Sequence, residues 1–357
     1  MIDWSKYKLR DLPIVSKFPR VDVHSGDERV NGRLFCEQVA RKCLDEIHAY
    51  VLQDSSPILL TSKEVVLGTG KSAILAAEYW RLREADETCL WTQVTGLSPM
   101  RTILLKVAYE MVRSRAIAQI KNKLTSVGGI SEGLRKMPNI SPSHPLIPWL
   151  RTVLSSEFED FPIALADVKR KTRAFSVSEA FSFVLSVYQA LVKKKMHIFL
   201  DQLEIYVRYN TARQISAELN ELIRGTSENA LLLATMHNDA LVKLENDCGE
   251  DVRTFLSNAP KVEVPEYSAD DLVKIGLYLI SKHRIGRAGN LDSFYPFDEK
   301  AMKYIARKSG NNIRKFLVRI RAALMFGALS DYPTIDRKLL SSETAKARIL
   351  VEVPISE

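Results

Sequence analysis

The stretch SPILLTSKEVVLGTGKSAILAAEYWRL, residues 56–82, restricts the fold more than any other part of the chain. An apolar run at Ile58–Leu60, which can continue as β structure at Val65 and Val66, leads into Gly68 and Gly70, and strong helix formers follow from Lys71. The order is strand, glycine loop, helix. Phosphate oxygens need several backbone N–H groups converging on them. That takes glycines that let the chain wrap closely, a helix N-terminus behind them and a lysine for the outer phosphates. Gly68, Thr69, Gly70, Lys71, Ser72 and Ala73 occupy those positions, and the Ser72 hydroxyl is placed to hold Mg²⁺. Against the pattern G-x-x-x-x-G-K-[ST] the first glycine falls on Val65. The alternative is an ordinary strand-to-helix turn; the strand before and the helix after are what the phosphate-binding mechanism demands.

The alternation continues downstream. TCLWTQV (88–94) reads as a second strand, and SPMRTILLKVAYEMV as a helix with Ser98 as cap and Pro99 in its first turn. MHIFLD and ALLLATMHND are further strands, separated by a helix over TARQISAELNELIRG that Gly225 is expected to stop, and KVEV (261–264) is a candidate last strand. Strands alternating with helices predict a parallel sheet covered by helices, an α/β fold. Residues 1–30, with Pro13, Pro19 and Gly26, read as an irregular lead-in, and NGRLFCEQVARKCLDEIHAYVLQ as an amphipathic helix. Residues 31–265 then form the α/β domain. Within it, 112–180 is a helical insertion carrying the basic clusters Arg113/Arg115/Lys121/Lys123 and Lys169/Arg170/Lys171/Arg173. Three helices over 266–330 form a small bundle, and 331–357 a tail.

A phosphate loop needs an acid for Mg²⁺ at the end of a neighbouring strand. Asp201 emerges at the C-terminal edge of the buried run Ile198–Leu200, where ligands of open α/β sheets bind. Gln202 or Glu204, both near that strand end, would orient the attacking water. At the tip of LLLATMHND, one of Thr235, His237 or Asn238 would lie beside the γ-phosphate if its strand sits between the other two, and Asn238 is the expected one. Gly310 and Asn311 restart a helix whose first turn presents Arg314, a guanidinium suited to bridging a lid and a triphosphate. From Lys300 to Leu329 there are basic residues and no acid, so Lys303, Lys315, Arg319 and Arg321 read either as a solvated face or as a polyanion contact.

Lys and Arg number 51 against 43 Asp and Glu, a net charge of +8 compatible with binding a polyanion. The four cysteines show neither metal-ligand nor disulfide-framework spacing, which fits a reducing compartment. No apolar run approaches the ~18 residues that span a bilayer, and the N-terminus has no secretory h-region. A cytoplasmic location is expected.

Together these residues resemble an AAA+ P-loop ATPase of the origin-recognition (Orc-like) branch, which pairs GTGKS and a hydrophobic strand ending in Asp with a late GNxR lid helix. The similarity covers about residues 30–330, including VEVPEYSADDLVKIGLYLISKHR at the passage from strand to lid. The resemblance implies ATP and Mg²⁺ as ligands, with Lys71 and Ser72 as the Walker A pair, Asp201 as the Walker B acid, Asn238 as sensor 1 and Arg314 as sensor 2. It also implies a homo-oligomer in which an arginine from a neighbouring subunit completes the site, and Arg253 in DVRTFL is the best-placed candidate. Val65 and Gln202 depart from the pattern. LDQLE is instead similar to the DQFEE of the STAND signalling ATPases, slow switches that act through protein partners. The 27 residues 331–357 are too few for the winged-helix domain of replication initiators. The expectation is a DNA-associated regulator that binds through its ATPase ring, as transposition-regulator ATPases do, with the insertion as a candidate DNA or partner surface; the alternative is a STAND-like nucleotide switch or scaffold acting through protein partners rather than DNA.

Overall fold

A computed structural model describes residues 3–14, 21–25, 27, 33, 39–63, 68–94, 100–137, 139–226, 229–285, 293–310 and 312–350. Val65 and Val66, the cap Ser98 with Pro99, Pro19, Gly26 and Asn311 lie outside the described residues. The chain divides into two compact units: Glu46–Lys63 with Glu78–Val262, and Met1–Asp45 with Glu64–Ala77 and Glu263–Glu357.

The larger unit is built on a sheet of β1 (Ile58–Ser62), β2 (Cys89–Gln93), β3 (Met196–Asp201), β4 (Ala230–His237) and the short β5 (Lys261–Glu263), in the order β2-β3-β4-β1-β5. The pairs β2/β3, β3/β4 and β4/β1 are parallel, and the Leu59 N–H donates to the Pro260 carbonyl (2.9 Å) just before β5. Every residue of β1, β3 and β4 is buried, which accounts for their continuous apolar runs: parallel strands are covered on both faces. The fold is an α/β sandwich, a parallel sheet covered by helices, and no described helix is long and apolar enough to cross a membrane.

Between β2 and β3 the chain forms helices at Met100–Arg113, Ala116–Ser126, Ile130–Arg135, Ile147–Ser155, Phe161–Ala166, Val168–Thr172 and Val177–Val192. The last begins with a reciprocal cap, in which Ser176 accepts from the Glu179 N–H while the Glu179 carboxylate accepts from the Ser176 N–H. Its Phe181, Val184, Leu185 and Tyr188 join Leu104, Ile120, Leu124, Leu150 and Phe161 in one core with the sheet residues Leu90, Ile198 and Leu232. Gly225 does not stop its helix, which runs Ala212–Thr226. An added Cβ at Gly225 would sit an ordinary 3.5 Å from Leu104, and the Thr226 hydroxyl donates to the Leu222 carbonyl, so packing and a side-chain bond carry the last turn through the glycine. Cys43, Cys89 and Cys248 are buried, and burial pushes the Cys89 thiol upward.

His197, in β3, is buried, and its Nδ1 has no hydrogen-bond partner among the described residues. Burial lowers its pKa below the ordinary histidine value of 6.5, outweighing the pull of Glu87. Below pH 6.5 the unfolded chain therefore binds the proton that the folded one refuses. Stability contributed here is present above pH 6.5 and is lost as the pH falls toward the depressed folded value. The urea midpoint of the wild type is expected to drop between pH 7.5 and 5.0 by more than that of H197Q. Equal drops would show that the ring is not the origin.

The smaller unit holds the helices Ala269–Lys282, Glu299–Ser309 and Ile313–Leu329 together with both chain ends. Ser268 and Asp271 form a capping box, and Asp298 and Asn312 cap the next two helices through their side chains. Tyr7 is fully buried and donates to the Tyr332 carbonyl (3.0 Å), and the Arg10 N–H donates to the His283 carbonyl (2.8 Å). After Leu329 the chain does not trail away. Ile335 bridges to Phe297, the Arg337 guanidinium lies 3.4 Å from the centre of the Tyr304 ring, and Leu339, Leu340, Ala345 and Ile349 are buried.

Candidate functional site

The glycine loop belongs to the smaller unit. Gly68 and Gly70 have φ of +96° and +93°, backbone that side chains rarely adopt, and the helix Lys71–Glu84 begins immediately afterwards. An ideal Cβ at Gly68 would lie 2.6 Å from the Arg314 Cβ and 2.7 Å from the Asn312 Oδ1. The loop and the helix Ile313–Leu329 therefore meet at Gly68, where the Asn312 and Arg314 side chains lie closer than any residue but glycine permits. Lys71 is 6% exposed, with its Nζ 3.5 Å from the Thr69 Oγ1, and Ser72 and Ala73 follow in the first helical turn. Two glycines with positive φ on either side of Thr69, ahead of a helix N-terminus, form the kind of turn in which successive N–H groups converge on an anion.

The carboxyl ends of β1, β3 and β4 belong to the larger unit. Because β4 lies between β1 and β3, the condition for a β4 polar residue to stand beside both is met. Register pairs Ser62 with His237 and Leu200 with Ala234. Asp201 is 3% exposed, and its Oδ1 accepts from the fully buried Thr235 hydroxyl (2.8 Å), which in turn accepts from the Gln202 N–H (2.8 Å). Gln202 turns the chain through a left-handed conformation, φ +65°, from the strand into the helix Leu203–Tyr209. In the first turn of that helix Glu204 is 4% exposed, with its Oε1 3.3 Å from the Nε2 of His237. The other ring nitrogen, Nδ1, is 3.2 Å from the Ser62 hydroxyl.

Of the three polar residues at the β4 tip, Thr235 contacts Asp201 and His237 contacts Glu204. Asn238, the residue expected from sequence, is exposed and opens the helix Asn238–Asp247. Strand alternation explains the pairing of Thr235 and His237: two apart, they share a face of the sheet. That signal was available in the sequence once β4 was placed beside β3. Arg253 is exposed on the helix Glu250–Ser257, and Arg314 is half-buried in the first turn of Ile313–Leu329. Arg319 is not part of a solvated basic face. It is 7% exposed and donates to the Lys308 carbonyl at the end of the preceding helix, satisfying an acceptor that helix leaves open, and Lys303 pairs with Glu299 at 2.5 Å. In the other basic clusters Lys123, Arg115, Lys169, Lys171 and Arg173 are exposed, while Arg170 pairs with Asp167 at 2.7 Å.

Among the described residues no group of three or more His, Cys, Asp or Glu side chains is placed to hold a metal ion unaided. Mg²⁺ suits such a setting, since it usually takes one or two protein ligands and completes its shell with water and phosphate oxygens. In the larger unit the buried Asp201 carboxylate, already oriented by Thr235, is a donor of the right kind.

The chain shares its fold with solved structures of Orc/Cdc6-like proteins. The chain is similar in structure to the ORC2 protein of Aeropyrum pernix, solved in complexes with ADPNP and ADP. That match has a TM-score of 0.50 and 13% identity, and covers 96% of this chain and 72% of that one. It is also similar to Cdc6p of Pyrobaculum aerophilum (TM-score 0.47, 12% identity, 99% and 72% covered) and to domain III of the replication initiation protein DnaA of Thermotoga maritima (0.45, 10%, 87% and 91%). No protein-family model matches the sequence, and no curated protein matches it significantly.

Proposed function

We propose that the protein is an ATP-binding and ATP-hydrolysing regulator that assembles with copies of itself and engages DNA in a nucleotide-dependent way. The observation that supports this best is the gathering of Asp201, Thr235, Glu204 and His237 at the carboxyl ends of the neighbouring strands β3 and β4. This is where open α/β sheets bind ligands. In this reading the amides of Gly68–Ser72 and the Lys71 ammonium hold the phosphates, and Arg314 answers to the outermost one. Ser72 and Asp201 hold Mg²⁺, which neutralises charge on the transferring phosphoryl group. Thr235 fixes the Asp201 carboxylate, and Glu204 or Gln202 orients the attacking water. Asn238 remains a candidate γ-phosphate sensor and Arg253 a candidate finger toward a neighbouring subunit. The exposed Lys123, Arg115, Lys169, Lys171 and Arg173 favour a polyanion over a protein as the partner.

The test is ATP turnover with and without duplex DNA, with the oligomer sized in each nucleotide state. Turnover is expected to vanish on chelation of Mg²⁺ with EDTA and to fall at least about 100-fold in D201N. DNA affinity should drop steeply with added salt. Turnover that survives EDTA, or an absence of DNA binding even at low salt, would remove the corresponding half of the proposal.

A further inference from the structure

We infer that His237 is a positioning residue that holds Glu204 as the water-orienting carboxylate, and that Gln202 does not fill that role. The inference rests on the ATP-hydrolysis reading above. Three side chains from three elements are involved: Ser62 ends β1, His237 ends β4, and Glu204 lies in the first turn after β3. Their exposures of 3%, 1% and 4% leave them little room to move. The distances are 3.2 Å from the Ser62 Oγ to Nδ1 and 3.3 Å from Nε2 to the Glu204 Oε1. An ionised carboxylate only accepts hydrogen bonds, so Nε2 carries the proton toward Glu204 and Nδ1 accepts from the serine hydroxyl. In the neutral imidazole this fixes the tautomer at both ends, and the three groups form a directional chain, Ser62 to His237 to Glu204.

Serine, imidazole and carboxylate in a row also describe the relay of a covalent hydrolase. Ser62 and Glu204 are equally buried, so exposure does not choose between them; what favours the opposite sense, with the carboxylate as the working group, is that Glu204 lies three residues after Asp201, in the first turn beyond β3. Gln202 is a poorer candidate. A neutral amide can orient water but takes no proton from it, and the Gln202 backbone N–H is committed to Thr235, which holds the Asp201 carboxylate. The arrangement separates two tasks along β4: Thr235 serves Asp201, and His237, two residues on and on the same face, serves Glu204. It also ties Glu204 to the strand that runs in sequence directly into the glycine loop.

Two variants of the same residue isolate the role, because glutamine can replace the Nε2 donor and asparagine the Nδ1 acceptor. In the full-length protein, H237Q is expected to keep kcat within about threefold of wild type. H237N should lose about tenfold in kcat with ATP affinity unchanged, and E204Q at least about 100-fold. H237N combined with E204Q should lose no more than E204Q alone. Equal damage in H237Q and H237N would reduce the histidine to a structural part, and wild-type or faster turnover in H237N would overturn the proposal outright. Should H237N be too unstable to assay, S62A carries the test, with a smaller fall in kcat at constant ATP affinity expected and an unchanged kcat overturning the inference. A wild-type protein that binds no ATP would instead bring down the ATPase reading itself, so the two failures are distinguishable.

Discussion

Replacing Gly68 with alanine is expected to cost about 3 kcal/mol of stability, far more than one methyl group at a surface loop. The left-handed backbone at this position costs a non-glycine residue about 1–2 kcal/mol. The new Cβ would also fall 2.6 Å from the Arg314 Cβ and 2.7 Å from the Asn312 Oδ1, distances at which something must shift. Asn312 caps the helix Ile313–Leu329 by accepting from the Lys315 N–H at 2.9 Å, and displacing that cap costs roughly another 1 kcal/mol. Gly310 provides the contrast. It too has a positive φ, +53°, but nothing lies within 4 Å of its missing Cβ, and G310N should cost less than about 1 kcal/mol. Denaturant titration of the two variants measures the difference. Amide exchange at the start of the helix Ile313–Leu329 should accelerate in G68A alone. If G68A and G310N prove equally stable, the loop does not pack on that helix.

The second large effect concerns ligand binding. Lys71→Ala is expected to weaken ATP binding by about 100-fold or more, because an ammonium on phosphate makes charge-assisted hydrogen bonds worth about 1.5–3 kcal/mol each. Lys71 as a residue is 6% exposed in the protein, which makes the cost of ordering its side chain small when phosphate arrives. Titration with a fluorescent ATP analogue reads the affinity, and far-UV circular dichroism checks that the variant folds. Undiminished affinity would mean that the glycine turn is not a phosphate site.

The contrast between Asn238 and its neighbours shows how legibility depends on the range of the interaction. Strand, glycine turn and helix in residues 58–84 are visible in sequence because each depends on local preference: apolar runs, glycines where φ must be positive, helix formers afterwards. Asp201 is equally visible, as the first acid after a buried run. Which polar residue of ATMHND meets it is not a local matter. Thr235 touches Asp201 only because β4 enters the sheet beside β3, and His237 reaches both Ser62 and Glu204 only because β1 lies on the other flank. Arg319 illustrates the same limit. Its helix reads as basic throughout, yet this one guanidinium turns inward because the end of the preceding helix presents an unsatisfied carbonyl.

Residue order alone determined that this chain would carry an α/β core with a glycine turn before a helix, since those features arise from steric and solvation preferences acting over a few positions. The lateral order of the strands, the partnership of Thr235 with Asp201 and of His237 with Glu204, and the glycine-only contact at Gly68 were decided by tertiary structure. They follow from parallel crossovers and helix packing that bring together segments far apart along the chain, where no short-range preference can specify which side chains will meet.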